Sequence, residues 1–519
     1  MSESTRQEGS MTARTVWLMS AKTLAFAFAF VLPVLLTRRL SQTEYGYFKQ
    51  VFLVVNSAIV ILPLGFGMSA YYFLPREQDT QRRGQIVFNI LLFSLLVGGA
   101  ACLALTLRPT LLSKIFQDQA LVAYAPLIGV VVLLWLFSSF IEIVAVANSE
   151  MKLATLFIVS AQLTKTALML AAALVFDSVA ALIYAAIIQG VIQTAVLFWY
   201  LRSRFRDFWR SFDWEMLRTQ AAYAMPFGAA GLLYTLLMDL HNYFVSNRFS
   251  AATFAVYSIG VSQLPLVGLL RESVSTVMIP RVSQLQKRNE AHEIVALLAR
   301  AMRKLAAVYL PLYALLIVVG REFITVLFTS AYLDSWPVFA VNLTMLPLSL
   351  IEFDAVIRAY AEHRYFMLKL RAVLFVVLLF ALWFGVLRFG LVGAIGVVVC
   401  VNLIERVATA IKFGRVIGFA PRDFRLLKDV WKIAAASAIA GIVTAFVRAL
   451  VLPHVKPFMA LVVCGAVFSL IYIAMILLLR VPDGDERDLV RRKIGSVQRR
   501  ATTLRRGHAA DALSVGEPN

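Results

Sequence analysis

Four basic side chains interrupt stretches that are otherwise apolar enough to cross a membrane. They are Lys22, Lys165, Arg271 and Arg406. A charge in the hydrocarbon core costs about 2.5–3.5 kcal/mol on insertion scales, so such residues normally face a cavity or a partner. Lysine offers an anion a point charge, whereas arginine offers a bidentate fork. The four residues are therefore candidates for a cationic binding site inside the membrane.

Ion pairing or an interfacial position would explain the same residues without any ligand. Lysine and arginine near a helix end can extend to the membrane surface. Acidic residues occur in the same stretches, namely Glu142, Glu272, Glu352, Asp354 and Glu405. Asp354 and Arg358 are four residues apart on a predicted helix and can pair with each other, so we favour a structural role for Asp354 and Glu352. For the basic residues both interpretations stay open.

Asp239 differs from the other acidic residues because no basic residue lies one helical turn away from it. Titration of a buried carboxylate can couple the entry of a proton or sodium ion to a conformational change. Asp239 and Glu272 are therefore the candidate ion-coupling residues. The alternative for Asp239 is a structural carboxylate that is hydrogen-bonded to Asn242 or Tyr243.

The composition explains why these charges must be placed by membrane helices. The chain has 519 residues, of which 60% are hydrophobic and 15% charged, and its mean hydropathy is +0.78. Apolar runs of 18 or more residues recur, and there is no sustained period of two that would indicate a barrel. The three cysteines (Cys102, Cys400, Cys464) stand singly in apolar runs and give no disulfide framework or metal-ligand spacing. We predict an all-α polytopic membrane protein without a cofactor or metal.

The apolar runs predict about fourteen transmembrane helices. They are roughly 15–37, 48–74, 86–107, 121–147, 153–176, 178–200, 221–246, 254–279, 304–320, 336–357, 367–387, 390–411, 431–451 and 457–479. The loops on the side of both termini hold most of the 50 Lys and Arg residues, which places both termini in the cytoplasm. Every predicted outer loop is short.

The chain also repeats itself. Arg39-Leu40-Ser41 in the first predicted helix-to-helix turn (Thr37 to Gln50) returns as Arg248-Phe249-Ser250, and Gly46-Tyr47 is echoed by Val256-Tyr257. Pro75-Arg76 and Gln81-Arg82-Arg83 return as Pro280-Arg281 and Gln286-Lys287-Arg288, each at an offset of 205 (280 minus 75). A repeated membrane hairpin with its basic loop indicates a protein built from two related halves.

The residues of these segments resemble a known family. The motif R-x-L-S-x-x-E-Y-G-x-[YF] runs from Arg38 to Phe48, and Leu64-Gly65-Phe66-Gly67 precedes a basic loop. The seventh predicted span (YAMPFGAAGLLYTLLMDLHNYFVSNRFS) and the IPRVSQLQKR loop have the same character. The chain thus resembles the polysaccharide-transport (Wzx-like oligosaccharide flippase) branch of the MATE/oligosaccharidyl-lipid/polysaccharide exporter superfamily.

This resemblance implies two six-helix bundles that face each other in a V around a central cavity, followed by two additional helices. The corresponding segments are a polar N-terminus (1–13), a first bundle (14–200), a linker (201–220), a second bundle (221–412), a linker (413–430), two additional helices (431–479) and a basic tail (480–519). The implied cargo is an undecaprenyl-diphosphate-linked oligosaccharide, flipped from the inner to the outer leaflet of the bacterial inner membrane for exopolysaccharide, capsule or O-antigen export. The cationic residues would then bind its diphosphate.

Other functions are a MATE-like drug or ion antiporter and a lipid II flippase. A membrane polymerase or glycosyltransferase is less expected, since it would need catalytic residues on a sizeable outer loop. The sequence has no HExxH, G-x-S-x-G or P-loop motif, which favours a protein that is not an enzyme.

The expected partners are the lipid-linked oligosaccharide, anionic membrane lipids and the polysaccharide polymerase machinery. The segment 281–303 is predicted to form an amphipathic helix on the inner membrane surface, and the basic tail to contact anionic lipids. The alternative for both segments is a solvated basic face whose only role is to fix the topology. Nucleic acid is not expected, because the basic residues lie in short loops rather than on one patch.

Overall fold

The structure, a computed structural model, describes residue 28 and residues 30–205, 208–210, 212–351, 353–360, 364–451 and 455–481. Within these residues the regular secondary structure is helical. Helices dominate because each buried backbone N–H and C=O must find its partner within its own segment in lipid.

The α-helices are numbered in chain order. They are α1 (30–39), α2 (Gln42–Ile61), α3 (Ser69–Phe73), α4 (Thr80–Leu107), α5 (Thr110–Phe116), α6 (Ala125–Ser138), α7 (Phe140–Ala147), α8 (Met151–Val175), α9 (Val179–Arg204), α10 (Trp214–Arg248), α11 (Ala251–Gly260), α12 (Pro265–Lys287), α13 (Ala291–Phe328), α14 (Trp336–Leu343), α15 (Met345–Leu348), α16 (Asp354–Ala359), α17 (Arg364–Val416), α18 (Lys428–Val451) and α19 (Pro457–Leu478). Short 3-10 helices lie at Phe66–Met68, Gln119–Tyr124, Phe208–Arg210, Ser330–Ser335 and Pro421–Leu427. We call α1–α9 the first half and α10–α17 the second half.

Eight described helices are long and apolar enough to cross a membrane, or nine if the bent pair Gln42–Ile61 and Phe66–Phe73 forms one span. One of the eight contains α17, which has a non-helical residue at Gly390 (φ 56°, ψ −134°). The backbones of Gly385 and Gly393 touch across this point, so α17 is a helical hairpin. The chain is a multi-pass membrane protein, and the number of fourteen spans stays a prediction.

Matching serine caps start the second helix of each half. Ser41 precedes α2 with φ −61° and ψ 160°, and its hydroxyl accepts from the backbone N–H of Glu44. Ser250 precedes α11 with φ −62° and ψ 159°, and its hydroxyl accepts from the N–H of Thr253. The caps make each turn shorter than the sequence suggested, because Gly46-Tyr47 and Val256-Tyr257 lie inside the helices. The repeat therefore has a structural counterpart.

The two halves meet where α2 crosses α11. A Cβ atom added to Gly46 would lie 1.9 Å from the carbonyl oxygen of Ala251, so the backbones are in direct contact. We call this end of the molecule, with Ser41 and Ser250, the serine-cap end. Here the Arg38 guanidinium donates to the carbonyl of Val326 and the Gln42 amide to that of Ala331.

A residue of the second half makes a matching contact with the first half. Asn247, at the end of α10, donates from Nδ2 to the carbonyl of Ile115 at 2.7 Å. Asn247 precedes Ser250 by three residues, just as Arg38 precedes Ser41. Each half thus uses the residue three positions before its serine cap to hold a backbone carbonyl of the other half. We call the contacts of Arg38, Gln42 and Asn247 with these carbonyls the clamp.

The two halves also meet at a second point, where the predicted second span is interrupted by a bend. The chain bends by 45° between Gln42–Ile61 and Phe66–Phe73, at Pro63 and the positive-φ residues Leu64 and Gly65. A Cβ atom added to Gly228 of α10 would lie 1.8 Å from the carbonyl oxygen of Leu64. The break therefore seats α10 closely against the first half.

The predicted interfacial helix over 281–303 is wrong. Residues up to Lys287 complete α12, Asn289 takes a positive φ of 57°, and α13 starts at Ala291 and runs on to Phe328. The apolar residues of this stretch, including Val282 and Ile294, are buried in one cluster between α12, α13 and α16–α17. They pack inside the protein because the tight turn brings the two helices together.

The two C-terminal helices are attached to the second half by an ion pair. Arg448 of α18 donates from Nε and Nη2 to both carboxylate oxygens of Glu322 in α13, at 3.0 and 2.7 Å. The Glu322 side chain is only 7% exposed. A bidentate pair at this depth fixes both the distance and the rotation of α18 on α13.

Replacing Gly46 by alanine forces α2 and α11 apart. We expect Gly46→Ala to lower the thermal unfolding temperature of the detergent-purified protein, through the about 1–3 kcal/mol that overpacking typically costs. Gly99→Ala is the matched control, because a Cβ at Gly99 meets nothing within 4 Å. Equal unfolding temperatures for the two variants would contradict the contact.

Replacing Arg448 by methionine leaves the Glu322 carboxylate buried without its partner. Breaking a fully buried pair costs about 3–5 kcal/mol, so Arg448→Met should clearly lower the unfolding temperature. Lys432→Met removes the pair with Asp429, whose side chain is 30% exposed, and such pairs contribute only about 0–1 kcal/mol. Unfolding of both variants at the wild-type temperature would show that the Arg448–Glu322 pair does not stabilise the protein.

Candidate functional site

A cavity of about 430 Å³ lies between the two halves. The first half contributes α1, α2 and α8 to its wall, and the second half contributes α10, α11, α13 and the non-helical segment after α11. The lining residues are Phe30, Leu32, Pro33, Tyr45, Phe48, Lys49, Phe52, Leu53, Asn56, Gln162, Lys165, Met169, Asn242, Phe254, Ser258, Ile259, Val261, Ser262, Gln263 and Phe328. We call it the central cavity.

The charged groups in this described lining are two lysines, Lys49 of α2 and Lys165 of α8. Within the part of the chain that the structure describes, neither lysine has a carboxylate within 4.0 Å. Lys165 Nζ instead lies 4.1 Å from the ring centroid of Trp135, and Lys49 Nζ lies 5.4 Å from that of Tyr45. Aromatic faces attract a cation without neutralising its charge, so both lysines can still attract an anion.

Neutral polar groups face the lysines from the second half. Asn242 comes from α10, and Ser262 and Gln263 come from the break between α11 and α12. Asn342 of α14 donates to the carbonyls of Gly260 and Ser262 at 3.2 and 3.4 Å. These bonds satisfy carbonyls that the break removes from the helix, which is how irregular backbone persists at membrane depth.

A smaller cavity of about 110 Å³ lies within the second half, and we call it the arginine cavity. Arg271, Arg371, Arg406 and Glu405 line it. Arg371 Nε donates to Glu405 at 3.0 Å, and Arg406 Nη1 donates to the carbonyl of Ile351 at 2.7 Å. At least one of these arginines is therefore held by a carboxylate of the protein.

The predicted basic residues do not share one described cavity. Lys165 lines the central cavity, whereas Arg271 and Arg406 line the arginine cavity together. Lys22 lies outside the described residues, as do Glu352 and the side chains of Asp354 and Arg358. The two cavities are neighbours along α10, where Asn242 lines the first and Met238, one turn away, lines the second.

The candidate coupling carboxylates lie outside both linings. Asp239 shares a face of α10 with Tyr243 and Ser246, which contact α2 through Leu53 (3.4 Å) and Gln50 (2.8 Å). Among the described residues the Asp239 carboxylate makes no hydrogen bond or ion pair, and Tyr243 donates to Leu53 rather than to it. Asp239 therefore lies at the junction of the two halves. Glu272, in contrast, is exposed on α12.

Behind Lys165 lies a third space, a chamber of about 310 Å³ inside the first half. Its polar lining residues are Ser138, Ser139, Glu142, Gln162, Lys165, Gln189 and Gln193. Lys165 and Gln162 line both this chamber and the central cavity. The Lys165 side chain therefore stands between a carboxylate-containing chamber and the space shared by the two halves.

Sequence analysis did not single out Lys49 and Arg371, because both lie at the very start of predicted spans (48–74 and 367–387), beside basic loops. The signal for Lys49 is its spacing: Asn56 follows it by seven residues on α2, so both project from one helix face. Gln162 and Lys165, three residues apart on α8, form a similar polar pair. No group of three or more His, Cys, Asp or Glu that could hold a metal occurs among the described residues.

Comparison with known proteins gives a family and a fold. The family model described as "Polysaccharide biosynthesis protein" matches residues 35–337. A search of curated proteins finds no match. The solved structure of "Lipid II flippase MurJ, inward closed conformation" superimposes with a TM-score of 0.71 at 14% identity, covering 92% of this chain and 100% of that chain.

Two MATE structures agree over somewhat less of the chain. An inward-facing multidrug resistance MATE family transporter of the MOP superfamily has a TM-score of 0.55 at 15% identity, covering 79% of this chain and 95% of its own. A Vibrio cholerae MATE transporter, VcmN, has a TM-score of 0.53 at 17% identity, covering 81% and 98%. At such identities the likeness concerns the fold, and it confirms the predicted fold class.

The two lysines predict anion binding in the central cavity. Lys49→Gln and Lys165→Gln should each weaken binding of inorganic pyrophosphate to the purified protein roughly 10-fold or more, because a hydrogen bond to a charged group contributes about 1.5–3 kcal/mol. Calorimetric titration gives the affinity, and Lys432→Gln in the partly exposed Asp429 pair is the matched control. Wild-type affinity in both cavity variants would contradict an anion site here.

Proposed function

Because the chain belongs to the polysaccharide biosynthesis protein family, we propose that it is a flippase. It moves undecaprenyl-diphosphate-linked oligosaccharide across the bacterial inner membrane for surface polysaccharide export, by alternating access, and it is not an enzyme. Both termini lie in the cytoplasm, as the distribution of Lys and Arg indicates. The serine-cap end then faces outward.

The observation that carries this proposal is the pair Lys49 and Lys165 in the central cavity. A diphosphate needs cationic partners when it leaves water, since an unpaired charge in a low-dielectric interior is costly. Lysines that no described carboxylate neutralises can supply this charge. The polyprenyl chain stays in lipid, whereas the sugar occupies the cavity. Arg271 and Arg406 remain candidate contacts for the same cargo from the neighbouring arginine cavity.

Alternating access needs one end to open while the other closes. The clamp at the serine-cap end closes the outward side through contacts of Arg38, Gln42 and Asn247 with backbone carbonyls. A few such bonds, each contributing about 0.5–1.5 kcal/mol net, can be exchanged for bonds to water during a transport cycle. The positive-φ residues Leu64 and Gly65 provide a bend at which the span can flex.

Two related functions compete with this proposal. A lipid II flippase is the named function of the MurJ structure, and its cargo is also a lipid-linked one. A drug or ion antiporter of the MATE type is the other. The family match favours polysaccharide assembly. A membrane polymerase or glycosyltransferase stays the least favoured alternative, and the polymerase machinery and anionic lipids stay the expected partners.

Transport of lipid-linked oligosaccharide in proteoliposomes tests the proposal. Lys49→Gln and Lys165→Gln should each lower the initial flipping rate at least 10-fold, in line with the loss of a charge-assisted contact of about 1.5–3 kcal/mol. Lys432→Gln should leave the rate unchanged. A flippase of this mechanism is excluded if the wild-type protein moves no such lipid, or if both cavity variants flip it at the wild-type rate.

Asp239 is proposed as the ion-coupling residue, with Glu272 as the second candidate. Its place between α10 and α2 would let a bound proton or sodium ion change the contact between the halves. Asp239→Asn should abolish the stimulation of flipping by a proton or sodium gradient across proteoliposomes while leaving gradient-independent exchange measurable. Unchanged gradient dependence would remove Asp239 from the mechanism.

A further inference from the structure

The wall of the central cavity is divided in charge between the two halves. Both charged groups in the described lining, Lys49 and Lys165, belong to the first half. The second half presents carboxamides and hydroxyls, from Asn242, Ser258, Ser262 and Gln263. The first half also contributes the carboxamides of Asn56 and Gln162 beside its lysines, so the cavity has one side that combines cations with amides and one side whose described polar groups are all neutral.

The two carboxamides on the neutral side, Asn242 and Gln263, have no hydrogen-bond partner in the part of the chain that the structure describes. Ser258 and Ser262 differ, since their hydroxyls donate to the carbonyls of Ala255 and Ile259 at 2.8 and 2.7 Å. Each carboxamide can donate two hydrogen bonds and accept on its oxygen, so together they form a ready set of sites for hydroxyl groups.

The close packing of α14 against the break between α11 and α12 places Gln263 in the cavity. Gln263 lies in the break between α11 and α12, three residues after Gly260. A Cβ at Gly260 would lie 2.6 Å from the side chain of Val338, so only glycine allows α14 to come this close. This approach brings Asn342 of α14 to the carbonyls of Gly260 and Ser262. Asn342 thus stabilises the break from outside the cavity lining, and Gln263 lines the cavity.

We propose that the two halves divide the head group of the cargo, with Lys49 and Lys165 binding the diphosphate and Asn242 and Gln263 binding the first sugar. This inference rests on the proposed function and deepens it. A diphosphate has only acceptor oxygens when ionised and needs cations. Sugar hydroxyls both donate and accept, and carboxamides match both roles. Asn242 and Gln263 are then the specificity-determining residues for the sugar.

The arrangement also gives the sugar a place in the transport cycle. One part of the head group is held by the first half and the other by the second, so a complete head group links the two halves. A lipid diphosphate without a sugar would contact the first half alone. The sugar-linked lipid should therefore bind more tightly than the bare diphosphate, and the difference should depend on Asn242 and Gln263.

Binding of two lipids to the full chain in nanodiscs tests the division. The probes are undecaprenyl diphosphate and the oligosaccharide-linked lipid that accumulates in cells deleted for this chain. Asn242→Leu and Gln263→Met keep the side-chain volume but remove the hydrogen bonds. Each should weaken binding of the sugar-linked lipid about 5-fold, from about 1 kcal/mol per hydrogen bond, and change binding of undecaprenyl diphosphate less than 2-fold.

Controls separate this inference from the proposed function. Lys49→Gln should weaken both lipids alike, and Gln284→Met, on the exposed surface of α12, should change neither. Thermal unfolding confirms that each variant is folded. The division is overturned if wild type binds both lipids equally, or if Asn242→Leu and Gln263→Met weaken both lipids or neither. If the wild-type protein binds neither lipid, the proposed function is overturned as well.

Discussion

The contact between α2 and α11 is the constraint on which the rest of the structure depends. The backbones of Gly46 and Ala251 touch, and the serine caps on either side set where each helix begins. Because this contact closes the serine-cap end, the central cavity lies beside the contact and extends away from the serine caps. Lys49 lies less than one turn beyond Gly46, at the start of that space.

The charges of the cavity explain why its walls are aromatic and amide-rich. A lysine at membrane depth is costly unless water, a partner or a ligand compensates it. Lys165 is stabilised by Trp135, which keeps its charge available, whereas Arg371 is held by Glu405. A lysine held by an aromatic face suits reversible binding of a ligand, whereas an arginine in an ion pair suits a fixed packing contact. This contrast separates the central cavity from the arginine cavity.

Much of the fold could be predicted from the sequence, because long apolar runs admit few structures in lipid. The repeat around Ser41 and Ser250 predicts two related halves, and in the structure both serine caps lie where the halves meet. What the sequence could not supply was side-chain direction: the predicted span starts at 48, just before Lys49, whereas α2 starts at Gln42, so Lys49 lies about two turns inside the helix. The sequence placed Lys165, Arg271 and Arg406 in one site, whereas the structure puts Lys165 in one cavity and the two arginines in another, since helix rotation within a bundle depends on packing partners distant in sequence.

A reversible crosslink across the clamp tests the central claim that the halves separate at the serine-cap end during transport. Gln42→Cys and Ala331→Cys would be introduced into a chain whose Cys102, Cys400 and Cys464 are replaced by serine, since Gln42 and Ala331 are in contact. The account predicts that the oxidised protein moves no lipid-linked oligosaccharide in proteoliposomes and that reduction restores transport. Undiminished transport by the fully crosslinked protein would contradict it.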